Sequence, residues 1–129
     1  MTAAPFLFVA AACTVAACSR QPSVADAVSV AWTITPSPPV AGAATLAEVT
    51  LRDGANRPLR GARLQVEAYM THPGMAPEIT PASERDAGVY QIPLRFTMRG
   101  NWILLVTGAL PDGRRIDHRI DVHATGPSG

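Results

Sequence analysis

The stretch that decides the fold is Ala62–Met70, ARLQVEAYM, in which apolar and polar side chains alternate without a break. Successive side chains of a β-strand point to opposite faces, whereas those of a helix repeat about every 3.6 residues. The apolar set of this stretch would therefore lie on one face, against a core, and the polar set would face water. Its members are Ala62, Leu64, Val66, Ala68 and Met70.

Short segments with strand-like composition lie on both sides of this stretch, separated by turn residues such as Asp53-Gly54 and Pro111-Asp112-Gly113. The chain has 129 residues, 12 prolines and only 16% charged residues, which favours one domain and disfavours long helices. We predict an all-β fold, an immunoglobulin-like antiparallel β-sandwich of about seven strands over residues 28–124. The six further strands are Val28–Thr35, Thr45–Arg52, Glu78–Ala82, Val89–Met98, Trp102–Ala109 (apolar on both faces, hence central) and Arg115–His123.

The N-terminus indicates export. The apolar run Ala3–Ala17 is shorter than the roughly 20 residues of a membrane-spanning helix and suits the central part of a signal peptide. It ends in Val15-Ala16-Ala17-Cys18, which resembles the lipobox of bacterial lipoproteins, where the cysteine is lipidated and becomes the new N-terminus. We predict a signal peptide over residues 1–17, a lipidated tether over 18–27 and a disordered tail over 125–129.

Two alternatives to lipidation at Cys18 remain. Residues 1–4 contain no Lys or Arg, so the apolar run could instead be an anchor that is never cleaved. Cys13 is a second candidate modification site, although Ala10-Ala11-Ala12 before it matches a lipobox less well. Under the main prediction, the mature protein is anchored in the cell envelope, in the periplasm or at the outer membrane. It then has neither a free thiol nor a disulfide.

Candidate metal ligands cluster in the segment Met70-Thr71-His72-Pro73-Gly74-Met75, and Met98 is a third candidate sulfur. Thioether and imidazole together suit the soft ion Cu(I). If every predicted strand reverses the one before it, the third, fifth and seventh strands end at the same end of the sandwich. Met70, His72, Met75 and Met98 then converge there, together with the region of His123. This convergence requires that Glu78–Ala82 crosses the domain.

Packing alone gives another interpretation of the same residues. Met70 and Met98 continue inward-facing apolar rows, so each could close the end of the core. His72 in a Pro-Gly loop could be only solvated, and His118 on an inner face is more often a core histidine than a ligand. The chain would then be an immunoglobulin-like interaction module that contacts another envelope protein.

Catalysis and nucleic-acid binding have little support. No serine lies in a nucleophile elbow, and no glycine-rich phosphate loop is present. Glu84-Arg85-Asp86 is interpreted as a solvated polar turn. Net charge is +1, and three C-terminal arginines alternate with aspartates, which predicts no basic patch among them. They are Arg114, Arg115 and Arg119, interleaved with Asp112, Asp117 and Asp121. We therefore expect a protein that is not an enzyme.

Three motifs together resemble the YtkA-like domain, which is related to FixH-type proteins. They are the His72-Pro-Gly-Met75 loop, Gly88-Val-Tyr90, and Met98-Arg-Gly100-Asn-Trp102, and the resemblance covers about residues 41–122. It implies an immunoglobulin-like sandwich outside the cytoplasmic membrane and a link to copper handling, particularly supply to respiratory oxidases. It also implies Met70, His72, Met75 and Met98 as the Met/His site. The resulting prediction is a lipid-anchored Cu(I)-binding module with a copper-accepting envelope protein as partner.

Overall fold

The computed structural model describes residues 27–72 and 74–126, and β-strands are the only regular elements in this part of the chain. None of the described residues forms a helix long and apolar enough to cross a membrane. The predicted signal peptide, Cys13 and Cys18 lie outside the described residues. The strands are β1 (Val28–Thr35), β2 (Ala44–Asp53), β3 (Arg63–Met70), β4 (Glu78–Pro81), β5 (Ser83–Asp86), β6 (Val89–Arg95), β7 (Gly100–Ala109) and β8 (Arg115–Ala124).

The strands form two antiparallel four-stranded sheets, ordered β1-β2-β6-β5 and β4-β3-β7-β8. One apolar cluster, drawn from the inner faces of both sheets, fills the space between them. The predicted immunoglobulin-like sandwich is confirmed. The β7 strand lies between β3 and β8, as predicted from its two apolar faces, and both Ile103 and Leu104 are buried.

The fourth predicted strand crosses the domain, but it is split between the two sheets. Residues 78–81 pair with β3 as β4, and residues 83–86 pair with β6 as β5, so the fold has eight strands rather than about seven. Ala82 marks the change of sheet, and its backbone N–H donates to the Leu64 carbonyl at 2.9 Å. The interpretation of residues 84–86 as a polar turn is therefore wrong. All four β5 residues are exposed at an edge, where no apolar periodicity is needed.

Two boundaries differ from the predictions because loop contacts override the local pattern. The fifth predicted strand ends at Arg95, not Met98, because the Phe96 carbonyl accepts a hydrogen bond from Gly42 N at 2.7 Å. Thr125, assigned to the disordered tail, is held instead by its N–H, which donates to the Pro39 carbonyl at 2.8 Å. Both contacts bring the β1–β2 loop over the end of the core.

The loop between β2 and β3 is fixed to the sandwich by Tyr90 and Glu84. The buried Tyr90 hydroxyl donates to the Leu59 carbonyl at 2.8 Å and accepts from Ala62 N at 3.0 Å. The Glu84 carboxylate accepts from the N–H groups of Gly61 and Gly88, both at 3.1 Å. Gly88 and Tyr90, which belong to one of the three motifs named above, therefore both help to fix this loop.

The Glu84 carboxylate predicts a pH dependence of stability. The Gly61 N–H, then the Gly88 N–H and more weakly Tyr90 and Arg60, hold the pKa of Glu84 below its usual 4.5. A pKa that folding lowers adds stability above the unfolded value, and this contribution is lost as pH falls through the folded pKa. We expect the difference in unfolding free energy between wild type and Glu84→Gln to shrink below about pH 4.5. Urea titrations from pH 7 to pH 3 measure it, and a difference that grows on acidification would contradict the assignment.

Candidate metal centre

Three loops meet at one end of the sandwich, which we call the methionine pole. They connect β1 to β2 (residues 36–43), β3 to β4 (71–77) and β6 to β7 (96–99). They meet because β4 and β5 together form one crossing, so that β3, β6 and β8 all end at this pole. Contacts of Gly42 with Phe96 and of Ala41 with Thr125 join the first loop to the β6–β7 loop and to the segment that follows β8.

The four side chains predicted as metal ligands line a single pocket at this pole. Met70, His72, Met75 and Met98 surround an open cavity of about 560 Å³, together with Arg99. The convergence inferred from strand alternation is therefore observed. It depends on the crossing by β4 and β5, the least regular part of the sequence pattern.

The buried Met70 forms the floor of the pocket. Only 4% of this residue is exposed, and it lies directly opposite Trp102 in the β3–β7 register. Gly100 has a φ of +130°, and a Cβ added there would lie 3.0 Å from the Met70 Cε methyl. The left-handed glycine therefore both makes the turn and leaves room for the thioether.

Trp102 fixes the loop that carries Met98. Its indole N–H donates to the Met98 carbonyl at 2.9 Å, and its ring packs edge-on against Phe96 with the centroids 5.3 Å apart. The Met-x-Gly-x-Trp motif thus has a local explanation. Met98 lies on the pocket wall and Gly100 makes room for Met70. Trp102 holds the turn between β6 and β7.

The pocket rim is formed by more accessible side chains. His72 is exposed, Met75 is 39% exposed and Met98 is 53% exposed. The interpretation of Met70 as a core residue agrees with its burial, but the same interpretation of Met98 is wrong. Met98 lies beyond the end of β6, where the alternation that placed it inward no longer applies.

Sequence reasoning missed Arg99 as a pocket residue. Its aliphatic stem lies over Gly126, where an added Cβ would meet the Arg99 Cδ at 3.0 Å, and its side chain borders the pocket. The only sequence signal is indirect. The three loops of the methionine pole contain no Asp or Glu, so arginine and histidine supply all the charge that these loops can carry.

The other two histidines do not line this pocket. His118 is half-buried on the inner face of β8, and His123 is exposed, with Nδ1 2.8 Å from the Asn101 Oδ1. In residues 27–72 and 74–126, no three His, Cys, Asp or Glu side chains are grouped as metal ligands. The donors in this pocket are one imidazole and three thioethers.

Comparison with known proteins gives a family and a fold. The YtkA-like family model matches residues 23–107. No curated protein matches the chain. Among solved structures, the PmoD soluble domain from Methylocystis sp. has a TM-score of 0.51 and 15% identity, covering 74% of this chain and 90% of that one. At this identity the similarity concerns the fold alone.

Two further structures are similar to a lesser degree. The Lin-41 filamin domain has a TM-score of 0.49 and 18% identity, covering 71% of this chain and 91% of its own. Murine CRIg has a TM-score of 0.44 and 13% identity, covering 79% of this chain and 99% of its own.

Proposed function

This chain belongs to the YtkA-like family, and on that basis we propose that it is a non-enzymatic Cu(I)-binding module of the cell envelope. The ligands are Met70, His72, Met75 and Met98. The observation that carries the proposal is that these four side chains, from two separate segments of the chain, line one pocket.

The donor chemistry supports a soft monovalent ion. Calcium and magnesium take oxygen ligands, and structural zinc sites take thiolate, imidazole and carboxylate. The pocket offers thioethers and a single imidazole, and no carboxylate is encoded in the three loops around it. Cu(I) accepts thioether and imidazole ligands, which makes it the ion that best suits this set.

The difference in exposure among the ligands supports transfer as well as binding. The buried Met70 is a fixed donor at the floor, while Met75 and Met98 are accessible from outside. A copper-accepting envelope protein could therefore replace the rim ligands one at a time while Met70 still holds the ion. Supply of copper to respiratory oxidases is the role that we propose for such transfer.

We place the domain at the envelope through a lipid on Cys18, because a lipobox-like sequence precedes this cysteine. A diacylglyceryl group would anchor the domain to a membrane, in the periplasm or at the outer membrane. Metabolic labelling of cells with a radioactive fatty acid tests this step. Label in the wild type and its loss in Cys18→Ala are expected.

The test of the binding function is a Cu(I) titration against a competing chelator under reducing conditions. Residues 19–129 suffice because, within the described part of the chain, the core cluster and the side chains packed against it lie between Val28 and Ala124. We expect one Cu(I) per chain and affinity for Zn(II) lower by on the order of 100-fold or more. Absence of competition with the chelator, or equal affinity for Zn(II), would reject the proposal. The exposed methionines would then fit a protein-interaction surface instead.

A further inference from the structure

The end of the sandwich opposite the methionine pole is rich in arginine. Segments 52–63 and 110–115 contain six arginines and two aspartates, a formal charge of +4, whereas the whole chain carries +1. The neighbouring β5 adds Arg85, Glu84 and Asp86, and Asp117 lines the same cavity as Arg63 and Arg115, which leaves +2. We call this end, formed by residues 52–63 and 110–115, the arginine pole.

The two segments form one surface. A Cβ on Gly61 would lie 3.1 Å from the Pro111 Cγ, so the two loops touch. Arg63 and Arg115 lie opposite the same residue, Ala109, from its two sides, and both line an open cavity of about 610 Å³. Arginines that are about 50 residues apart in sequence therefore share one face.

Three of the five carboxylates at this pole, those of Asp53, Glu84 and Asp112, bind groups within turns, whereas Asp86 and Asp117 are exposed. Asp53, whose side chain is only 9% exposed, accepts from the N–H groups of Ala55 and Arg57 and pairs with the Arg57 side chain at 2.9 Å. Glu84 accepts the two backbone N–H groups described above, and Asp112 pairs with Arg114 at 2.8 Å. These contacts tie the three carboxylates to the turns, although Glu84 and Asp112 remain exposed.

Three arginines extend outward from the same surface. Arg60, Arg63 and Arg115 are exposed, and within the described ranges 27–72 and 74–126 their side chains form no hydrogen bond or close ion pair, although Arg60 lies near enough to Glu84 to lower the pKa of that carboxyl. A long arginine side chain carries its charge several ångströms beyond the backbone. The outer layer of the pole is therefore positive even though the segments contain some acid.

The described part of the chain begins at this pole. Val28, the first residue of β1, pairs with Asp53 at the end of β2. Cys18 is ten residues earlier, which allows a separation from Val28 of at most about 35 Å. The methionine pole is about one strand length away, which for the ten residues of β7 is roughly 33 Å.

From these placements we propose that the arginine pole contacts the phosphate groups of an anionic phospholipid bilayer. Guanidinium groups bind phosphate through paired hydrogen bonds, and basic residues near an anionic surface each add about fivefold to binding. The contact holds the methionine pocket on the side of the domain that faces away from the bilayer. This surface does not depend on copper binding, and its test uses no metal.

The experiment is co-sedimentation of residues 19–129 with lipid vesicles at low ionic strength. Vesicles of phosphatidylcholine alone are compared with vesicles that contain equal parts of phosphatidylglycerol. The pole variant is Arg60→Glu/Arg63→Glu/Arg115→Glu. Its control is Arg95→Glu/Arg99→Glu/Arg119→Glu, which changes net charge equally but lies elsewhere on the domain.

We expect binding only to the anionic vesicles and its loss as salt is raised. The pole variant should bind on the order of 100-fold more weakly than wild type, and the control variant only a few-fold more weakly. Equal binding to both vesicle types, or equal losses in the two variants, would overturn the proposal. Thermal unfolding checks each variant, and Arg→Gln changes at the same three positions replace the pole variant if it does not fold.

Discussion

His72→Ala/Met75→Ala is expected to lower Cu(I) affinity by at least about 100-fold while leaving the fold intact. Loss of groups that merely support a metal ligand costs 10- to 100-fold in affinity, so loss of two direct ligands should cost more. Both side chains are exposed at the pocket rim and contribute little to the core, so thermal stability should change little. Competition with a Cu(I) chelator measures the affinity of the domain.

A matched control removes one exposed histidine and one equally exposed apolar residue outside the pocket. His123→Ala/Leu46→Ala meets this requirement, because Leu46 is 40% exposed and neither residue lines the methionine pocket. Unchanged Cu(I) affinity in the control and a large loss in the rim variant would localise the site. Equal affinity in both variants would exclude this loop as a copper site. Met98→Leu, which keeps the size but removes the sulfur, then tests the contribution of Met98 separately.

Gly108→Ala is expected to cost about 3 kcal/mol or more of unfolding free energy, a large part of the 5–15 kcal/mol typical of a domain. A Cβ at residue 108 would overlap the Arg63 carbonyl oxygen and lie 2.9 Å from the Leu64 Cδ2. The β7 strand is paired on both sides, with β3 and with β8, so it has little freedom to move away. Urea unfolding followed by circular dichroism measures the loss.

Gly42→Ala is the control for Gly108→Ala. A Cβ at residue 42 meets no atom within 4 Å, but φ there is +81°. The control should therefore show only backbone strain, about 1–2 kcal/mol. A loss in Gly108→Ala no larger than that of the control would mean that β3 and β7 lie farther apart than described.

Much of the fold was predictable because buried and exposed side chains alternate along each strand of a sandwich, and this alternation is visible in the sequence. Alternation identified β3 directly, and the two apolar faces of the sixth predicted strand indicated the centre of a sheet. The split at Ala82 was not predictable in this way. Residues 83–86 form an exposed edge strand whose partner, β6, follows in the chain, and no residue among them shows burial.

The sequence identified the four candidate ligands, but it did not show which of them are buried and which are exposed. The sequence showed methionine and histidine in a short loop, with a third methionine before a turn. It did not show that Met70 is buried while Met98 is exposed, since both continue apolar rows. The difference arises because β3 runs to Met70, whereas β6 stops at Arg95 when Phe96 contacts the β1–β2 loop.

The sequence by itself determined most of the strands, the tight turns and the residue types available for a soft metal, because each of these depends on neighbours along the chain. The tertiary structure decided which of those residues meet. Sheet order brings residues 70–75 and 98 to one pole and the arginines of segments 52–63 and 110–115 to the other. These contacts join residues that are far apart in sequence. The free energy that stabilises them comes from the burial of a core that exists only when both sheets have packed together.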